Sequence, residues 1–345
     1  RDGLLTAVGG NVEGPLRETP IPYTIQYNLT IQRELPGRVS LEVAYVGNRG
    51  RQLSRGGEGG FTLNQVNPQF LALGSQLNQL VANPFFGQGL GGVLANRQVS
   101  RAQLLRPYPQ FLDVLPLFSA GSNSDYDSLQ MSFSKRYSRG IVFDGNYVWA
   151  KSIDDGTSAQ DSFNLRLGRS VTGQDFRHRL VFSGVYDIPL GKGRQFLNGM
   201  SRVPELLLGG WQVNGIYTLQ SGSLIGIGAA NTAGIFNMAS RANNNGTSAV
   251  INADAKSRLD LWFNTSVFSQ PAPFTLGNVG TLVPDLRSHH TNNLDFSLFK
   301  QFSLSEKFRL QFRAESFNFS NRVQFSGPNT NVNGGAAFGR VTAQA

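Results

Sequence analysis

Apolar and polar residues alternate with period two in eight separate blocks of the chain. In the first block, Tyr23, Ile25, Tyr27, Leu29 and Ile31 are interleaved with Thr24, Gln26, Asn28, Thr30 and Gln32. Successive side chains of a strand point to opposite faces, so this block predicts a strand with one apolar and one polar face. Val39, Leu41, Val43 and Tyr45 continue the pattern after a turn at Pro36-Gly37. Further apolar rows are Leu129, Met131, Phe133; Ile141, Phe143, Tyr147, Trp149; and Leu180, Phe182, Tyr186, Ile188. The last three are Trp211, Val213, Tyr217, Leu219; Leu294, Phe296, Leu298; and Phe308, Leu310, Phe312, Ala314. No block carries the pattern of an amphipathic helix, although Leu71, Leu77, Leu80 and Val81 fall at helical spacing and predict a short helix over 70–81.

The connections alternate between short and long. Tight ones lie at Pro36-Gly37, Ser138 to Gly140 and Ser303 to Lys307, with a longer one from Pro189 to Gly209 turning at Gly191-Lys192-Gly193. Between them run polar, Gly- and Asn-rich segments at 47–125, 152–176 and 222–291. Compact soluble domains seldom hold structureless loops beyond about 15 residues. Outer-membrane barrels do, because their periplasmic turns are short and their outer loops long. The expected architecture is all-β: a transmembrane antiparallel β-barrel, partial, contributing about eight strands of a larger barrel with long extracellular loops. A soluble sandwich or propeller whose apolar rows face a core is the competing architecture.

Charge placement favours the barrel. With short turns at the lower end, the outward cations Arg33, Lys135 and Lys300 all fall near that end. There a cation costs about 0 to 1 kcal/mol, against about 2 to 4 at the bilayer midplane. The opposite row, expected to face the lumen, holds Gln26, Asn28, Gln32, Glu42, Asp144, Asn146, Arg179, Gln212, Asn214, Asp295, Arg309, Gln311, Arg313 and Glu315. Tyr23, Tyr45 and Trp149 group near the upper rim, and Tyr186, Trp211 and Phe308 near the lower one, as an aromatic girdle requires. Arg309, Gln311, Arg313 and Glu315 form a continuous polar row that Asp295 and Ser297 should oppose. It reads as a ladder of Arg–carboxylate pairs, as a wall for a substrate or plug, or as both.

Composition agrees. Charged residues are 15% of 345, against about a quarter in soluble proteins, while Gly numbers 40 and Phe 25. That is the average of a lipid row, a polar row and long loops. Zero cysteine excludes disulfides, a thiol nucleophile and cysteine-ligated metal. The net charge of +9 comes from scattered arginines, so no nucleic-acid partner is expected. The longest uncharged apolar stretch, Leu224 to Ser240, is interrupted by Asn231, Asn237 and glycines, which excludes a membrane-spanning helix. No basic-then-apolar leader follows Arg1.

Catalytic signatures are sparse. Adjacent His289 and His290, with Asp285 nearby, should point apart on an extended segment, and His178 stands alone. Ser132 with Lys135 and Ser297 with Lys300 match S-x-x-K, but residues three apart on a strand face opposite sides. Asp154, Asp155 and Asp161 lack the spacing of a calcium loop. No enzymatic activity, metal or cofactor is expected.

Several segments carry a family resemblance: Tyr23 to Leu35, Val43 to Gly50, Tyr126 to Arg136, Tyr147 to Asp155, Asp175 to Val181, Tyr186 to Arg194 and Arg313 to Asn321. In this order they resemble the C-terminal part of the barrel of TonB-dependent receptors, specifically the Oar-like group common in Acidobacteria. The resemblance implies a 22-stranded barrel in the bacterial outer membrane, closed by an N-terminal plug and energised through TonB. It further implies outer-membrane lipid, plug, TonB and an unknown transported substrate as partners. Residues 1–345 are then expected to be the C-terminal portion of the barrel domain, without the plug and without a final strand ending in an aromatic residue. A passive porin-like or secretion channel and a soluble secreted adhesin are the alternative functions.

Overall fold

A computed structural model describes residues 7–55, 61–117, 119–156, 159–232, 240–303 and 307–344. All eight expected strands form one antiparallel sheet, each paired with its neighbours in chain order. They are β1 (Tyr23–Leu35), β2 (Val39–Ser54), β3 (Ala120–Ser138), β4 (Ile141–Asp154), β5 (His178–Asp187), β6 (Trp211–Gln220), β7 (Thr291–Ser303) and β8 (Arg309–Ser316). The first and last strands do not pair with each other, so the sheet is an open wall rather than a closed barrel.

Register carries the alternation from strand to strand. Ile31 opposes Val43, Val43 opposes Met131, Met131 opposes Tyr147, and Tyr147 opposes Leu180. On the other face, Gln32, Glu42, Ser132, Asn146 and Val181 stand in one row. A one-residue slip would exchange these faces, so the pattern itself fixes the pairing. Turn chemistry helps: Ser138 pairs with Ile141, and Arg139 and Gly140 between them have φ of 54° and 80°. Two consecutive positive φ values are what a two-residue type I′ hairpin demands.

Several strands exceed the predicted blocks. β3 has 19 residues and β2 has 16, while about 9 to 11 tilted residues cross a bilayer. Both therefore project well past the membrane at the long-loop end. Their projecting ends bring Arg49 and Arg51 onto the apolar face's row, and the end of β4 adds Lys151, beside Arg33, Lys135 and Lys300. The polar composition of Ser122 to Asp127 hid this extension.

Glycines on the apolar face make room for rings. Gly47 opposes Tyr27 and Gly145 opposes Phe133. A Cβ on either glycine would lie about 2 Å from the ring. Phe133, Phe143 and Phe182 then meet with centroids 5.7 to 6.1 Å apart.

The long connections are not structureless. Ile225, Ile227, Ala249, Trp262, Phe263, Val267, Phe268, Val279 and Leu286 form a buried core, against which Val332, Phe338 and Val341 pack. Phe263 meets Phe268 and Phe338 edge-on, at 5.8 and 5.4 Å. A smaller core of Val66, Leu77 and Ala102 receives Phe274 and Leu276 from the same body, so two loops interlock. The helix expected over 70–81 is a 3-10 segment, Pro68–Asn78, broken at Gly74 (φ 55°), and Leu80 and Val81 belong to a short strand. On the short-turn side, α1 (Arg202–Leu208) spans seven residues, too few for a periodic signal. Part of the connection Ser303 to Lys307 lies outside the described residues.

Candidate functional site

Fourteen polar positions were expected on one face, and register places them together there. Gln26, Asn28 and Gln32 lie on the exposed edge strand β1, with Glu42 opposite Gln32. Asn146 and Arg179 follow on β4 and β5, the latter opposite Val148 and Gln220. Gln212 donates to Asp187 Oδ1 at 2.8 Å. Asp144, Asn214, Asp295 and Glu315 converge on one recess of about 360 Å³, completed by Ser183 and Ser297. Three carboxylates line it with no lysine or arginine among the lining residues. The Asn214 Nδ2 group is buried without a hydrogen-bond partner. Such a recess favours cationic or hydrogen-bonding groups.

The Arg–carboxylate ladder is not what forms. Arg313 opposes Phe299, with its guanidinium 5.0 Å from the ring centroid and its Nε donating to Gln311 at 3.0 Å. Glu315 opposes Ser297, and Asp295 accepts from Asn293 Nδ2 and the Asn318 backbone N–H, each at 2.9 Å. A phenylalanine at 299 interrupts the expected charge alternation. Arg309 and Gln311 oppose Ser303 and Gln301.

The aromatic candidates occupy the other face. Tyr45, Leu129 and Trp149 share a register row, while Tyr23 stands opposite Arg51, six residues before Leu29, the partner of Tyr45. At the short-turn end, Tyr186 opposes Ile141 and Val213, Trp211 opposes Lys300, and Phe308 precedes β8. The two lower lysines are folded back: Lys135 Nζ donates to the Gly37 carbonyl and Lys300 Nζ to that of Gly209. Lys300 also lies 4.8 Å from the Trp211 ring centroid. Register puts each lysine and its S-x-x-K serine on opposite faces of the sheet, Ser132 beside Glu42 and Lys135 beside Val39, Ser297 beside Asn214 and Lys300 beside Trp211.

At the long-loop end the apolar face gives way to an ion-pair web that the block pattern missed. Asp127 accepts from Arg49 at 2.8 and 2.9 Å and from the Tyr45 hydroxyl at 2.6 Å. Asp125 binds Arg51 at 2.8 Å and Arg169 at 2.6 Å. Its signal was the run of charges at Arg49, Arg51, Asp125 and Asp127 in phase with the apolar rows.

Within the loops, buried polar groups tie segments together. Arg287 binds the fully buried Asp175 at 2.5 Å, and Asp175 also accepts from the Ser152 N–H at 2.9 Å. Asp155 pairs with Arg55 at 3.7 Å and accepts from Ser122 and Asn123, whereas Asp161 accepts from Gln65. Asp154, Asp155 and Asp161 therefore do not converge. Asp285, His289 and His290 line a cleft with Arg258 and Trp262. Contrary to the extended-segment expectation, the two imidazoles lie with centroids 4.8 Å apart, because residues 288–290 are not regular strand. Arg258 stacks 4.4 Å from the Trp262 ring centroid, and burial pulls its pKa down. Burial lowers the His289 pKa as well, and the neighbouring charges of His290 and Arg258 add to that. Among the described residues, no cluster of three or more His, Asp or Glu side chains could hold a metal ion.

A meandering antiparallel wall with one apolar face, one polar face and its two longest connections at the same end has the plan of an outer-membrane barrel wall. The chain belongs to the outer membrane beta barrel domain family, whose model matches residues 2–345. The protein is therefore located in the outer membrane. Among solved structures it is similar to the outer membrane transporter YddB from Escherichia coli, at 9% identity and a TM-score of 0.46, over 97% of this chain and 33% of that one. It is also similar to the ferripyoverdine receptor of the outer membrane of Pseudomonas aeruginosa, at 9% identity and a TM-score of 0.36, over 94% and 26%. The chain thus spans about a third or less of the length of these structures. No curated protein sequence matches it.

Proposed function

We propose that this chain forms about eight adjacent strands and the outer loops of a TonB-dependent receptor barrel, within its C-terminal portion. The polar face lines the lumen and meets a plug, the aromatic rows at both ends are the membrane girdle, and the loop body collects a bulky substrate for energised passage. No step of this function requires enzymatic turnover. The observation that carries the reading is the pairing of a predominantly polar face with outer loops that have their own hydrophobic core. A passive pore needs the polar face; a preformed extracellular body suits capture.

Two measurements on the full-length protein test it. In planar bilayers the receptor is expected to hold a closed, near-zero conductance, because a plug occupies the lumen. In detergent it is expected to bind the purified periplasmic domain of TonB. Large steady conductance together with absent TonB binding would establish the passive channel instead.

A further inference from the structure

The apolar face carries a groove at its long-loop end. Tyr45, Leu129 and Trp149 form its floor, and Asp127, Lys151 and Arg177 border it. Tyr45 and Trp149 remain 43% and 51% exposed, so none of the described residues covers this floor. Asp127 and Lys151 are direct cross-strand partners. They nevertheless form no ion pair, because Arg49 and Tyr45 already take the Asp127 carboxylate. Lys151 is left with no hydrogen-bond or ion-pair partner among the described residues. The Arg177 Nε is likewise buried without a partner.

The rest of the web is in charge deficit too. Beside the unpartnered Lys151, three arginines, Arg49, Arg51 and Arg169, share the two carboxylates of Asp125 and Asp127. At the opposite rim, lysines on the same face are capped by turn carbonyls. At the outer rim, by contrast, Lys151 is an uncapped cation directly above an open apolar floor.

We propose that this groove seats a phosphate-bearing lipid of the outer leaflet. One acyl chain lies along Leu129 between Tyr45 and Trp149, and the phosphate is held by Lys151 with Arg177 at the groove's edge. The occupant is a lipid rather than a soluble anion because the floor is apolar and continues into the lipid-facing rows below. Charge complementarity selects an anionic headgroup over a zwitterionic or neutral one.

Native mass spectrometry of the full-length protein, titrated with a diphosphorylated lipid A and with the same glycolipid after phosphate removal, tests this. The phosphorylated form is expected to bind more tightly. Each removed cation should weaken it about fivefold, so Lys151→Gln costs about fivefold and Lys151→Gln with Arg177→Gln about twenty-fivefold. Arg33→Gln, the same charge change at the other rim, should leave binding unchanged. Heat-modifiable gel mobility confirms that each variant is folded, and Lys151→Arg should restore binding in a variant that keeps the charge. Equal binding of both glycolipids, or equal binding by wild type and the double variant, overturns the proposal. Full competition by millimolar inorganic phosphate overturns it as well, since the site would then be one for free anions.

Discussion

The sheet and the loop body use large apolar residues in opposite ways. On the strands they stand at the surface: Ile25 is 53% exposed, Leu29 67% and Phe312 49%. In the loop body Trp262 and Phe263 are fully buried. One region is solvated by lipid and the other by water, so the same side chains face outward in the first and inward in the second. Cohesion differs accordingly. The sheet is held by its hydrogen-bonded ladder, because apolar side chains gain nothing by leaving lipid. The loop body relies on the hydrophobic effect, as any soluble domain does.

That contrast predicts where truncation matters most. Trp262→Ala should cost the loop body about 3 to 5 kcal/mol, through lost burial and a cavity beneath Arg258. Limited proteolysis of the full-length protein should then cut within 222–290 while the strands stay protected. Leu29→Ala, an equally drastic truncation on the lipid side, should leave proteolysis unchanged. Equal sensitivity at both positions would erase the distinction between the two regions.

Charge insertion probes the same contrast from the sheet side. Met131→Arg places a cation on the apolar face, at a cost of about 2 to 4 kcal/mol near the bilayer midplane. Its neighbour Ser132→Arg enters the polar row between Glu42 and Asn146 and should be tolerated. Yield of heat-modifiable protein in outer-membrane fractions reads the difference. Similar yields for the two variants would mean the faces are assigned wrongly.

The two regions also differed in how much of them could be read from sequence. Strand order and faces were legible because alternation is a local, period-two signal that survives without knowledge of any partner. Strand length was not, since Ser122 to Asp127 and Asn48 to Arg51 extend the ladder with polar residues on both faces. The loop core was invisible for another reason. Trp262, Phe263 and Phe268 follow no period, and the residue that closes their edge-on cluster, Phe338, arrives from about 70 positions downstream. Of the polar candidates, their common face was legible. The recess joining Asp144 with Glu315 was not, because it depends on the register of five consecutive strands.

A smaller effect is expected where ring and glycine meet across strands. Gly145→Ala puts a methyl group where the Phe133 ring now lies, and overpacking of this kind costs about 1 to 3 kcal/mol in a closed core. Here the ring can swing toward lipid, so the loss should sit at the bottom of that range. Thermal unfolding in detergent measures it, and Phe133→Ala combined with Gly145→Ala should recover part of the loss. A full-sized penalty would show that the lipid side is packed as tightly as the loop core.

The mildest prediction concerns acid. His289 accepts at Nδ1 from the Phe325 N–H, 3.4 Å away, and its ring meets Trp262 and Phe325 edge-on. Its pKa in the folded state lies below the ordinary 6.5, chiefly from burial and then from His290 and Arg258. The unfolded segment therefore binds a proton more readily than the folded one, and the neutral ring's contribution to stability is present above pH 6.5. It is lost as pH falls below that value toward the folded pKa. Hydrogen exchange across 222–290 should accelerate on acidification through this window, while exchange in β2 and β3 stays flat. His289→Gln, which keeps an acceptor for Phe325 but does not titrate, should abolish the response. If exchange in the loop body still accelerates in that variant, His289 is not the source of the acid sensitivity.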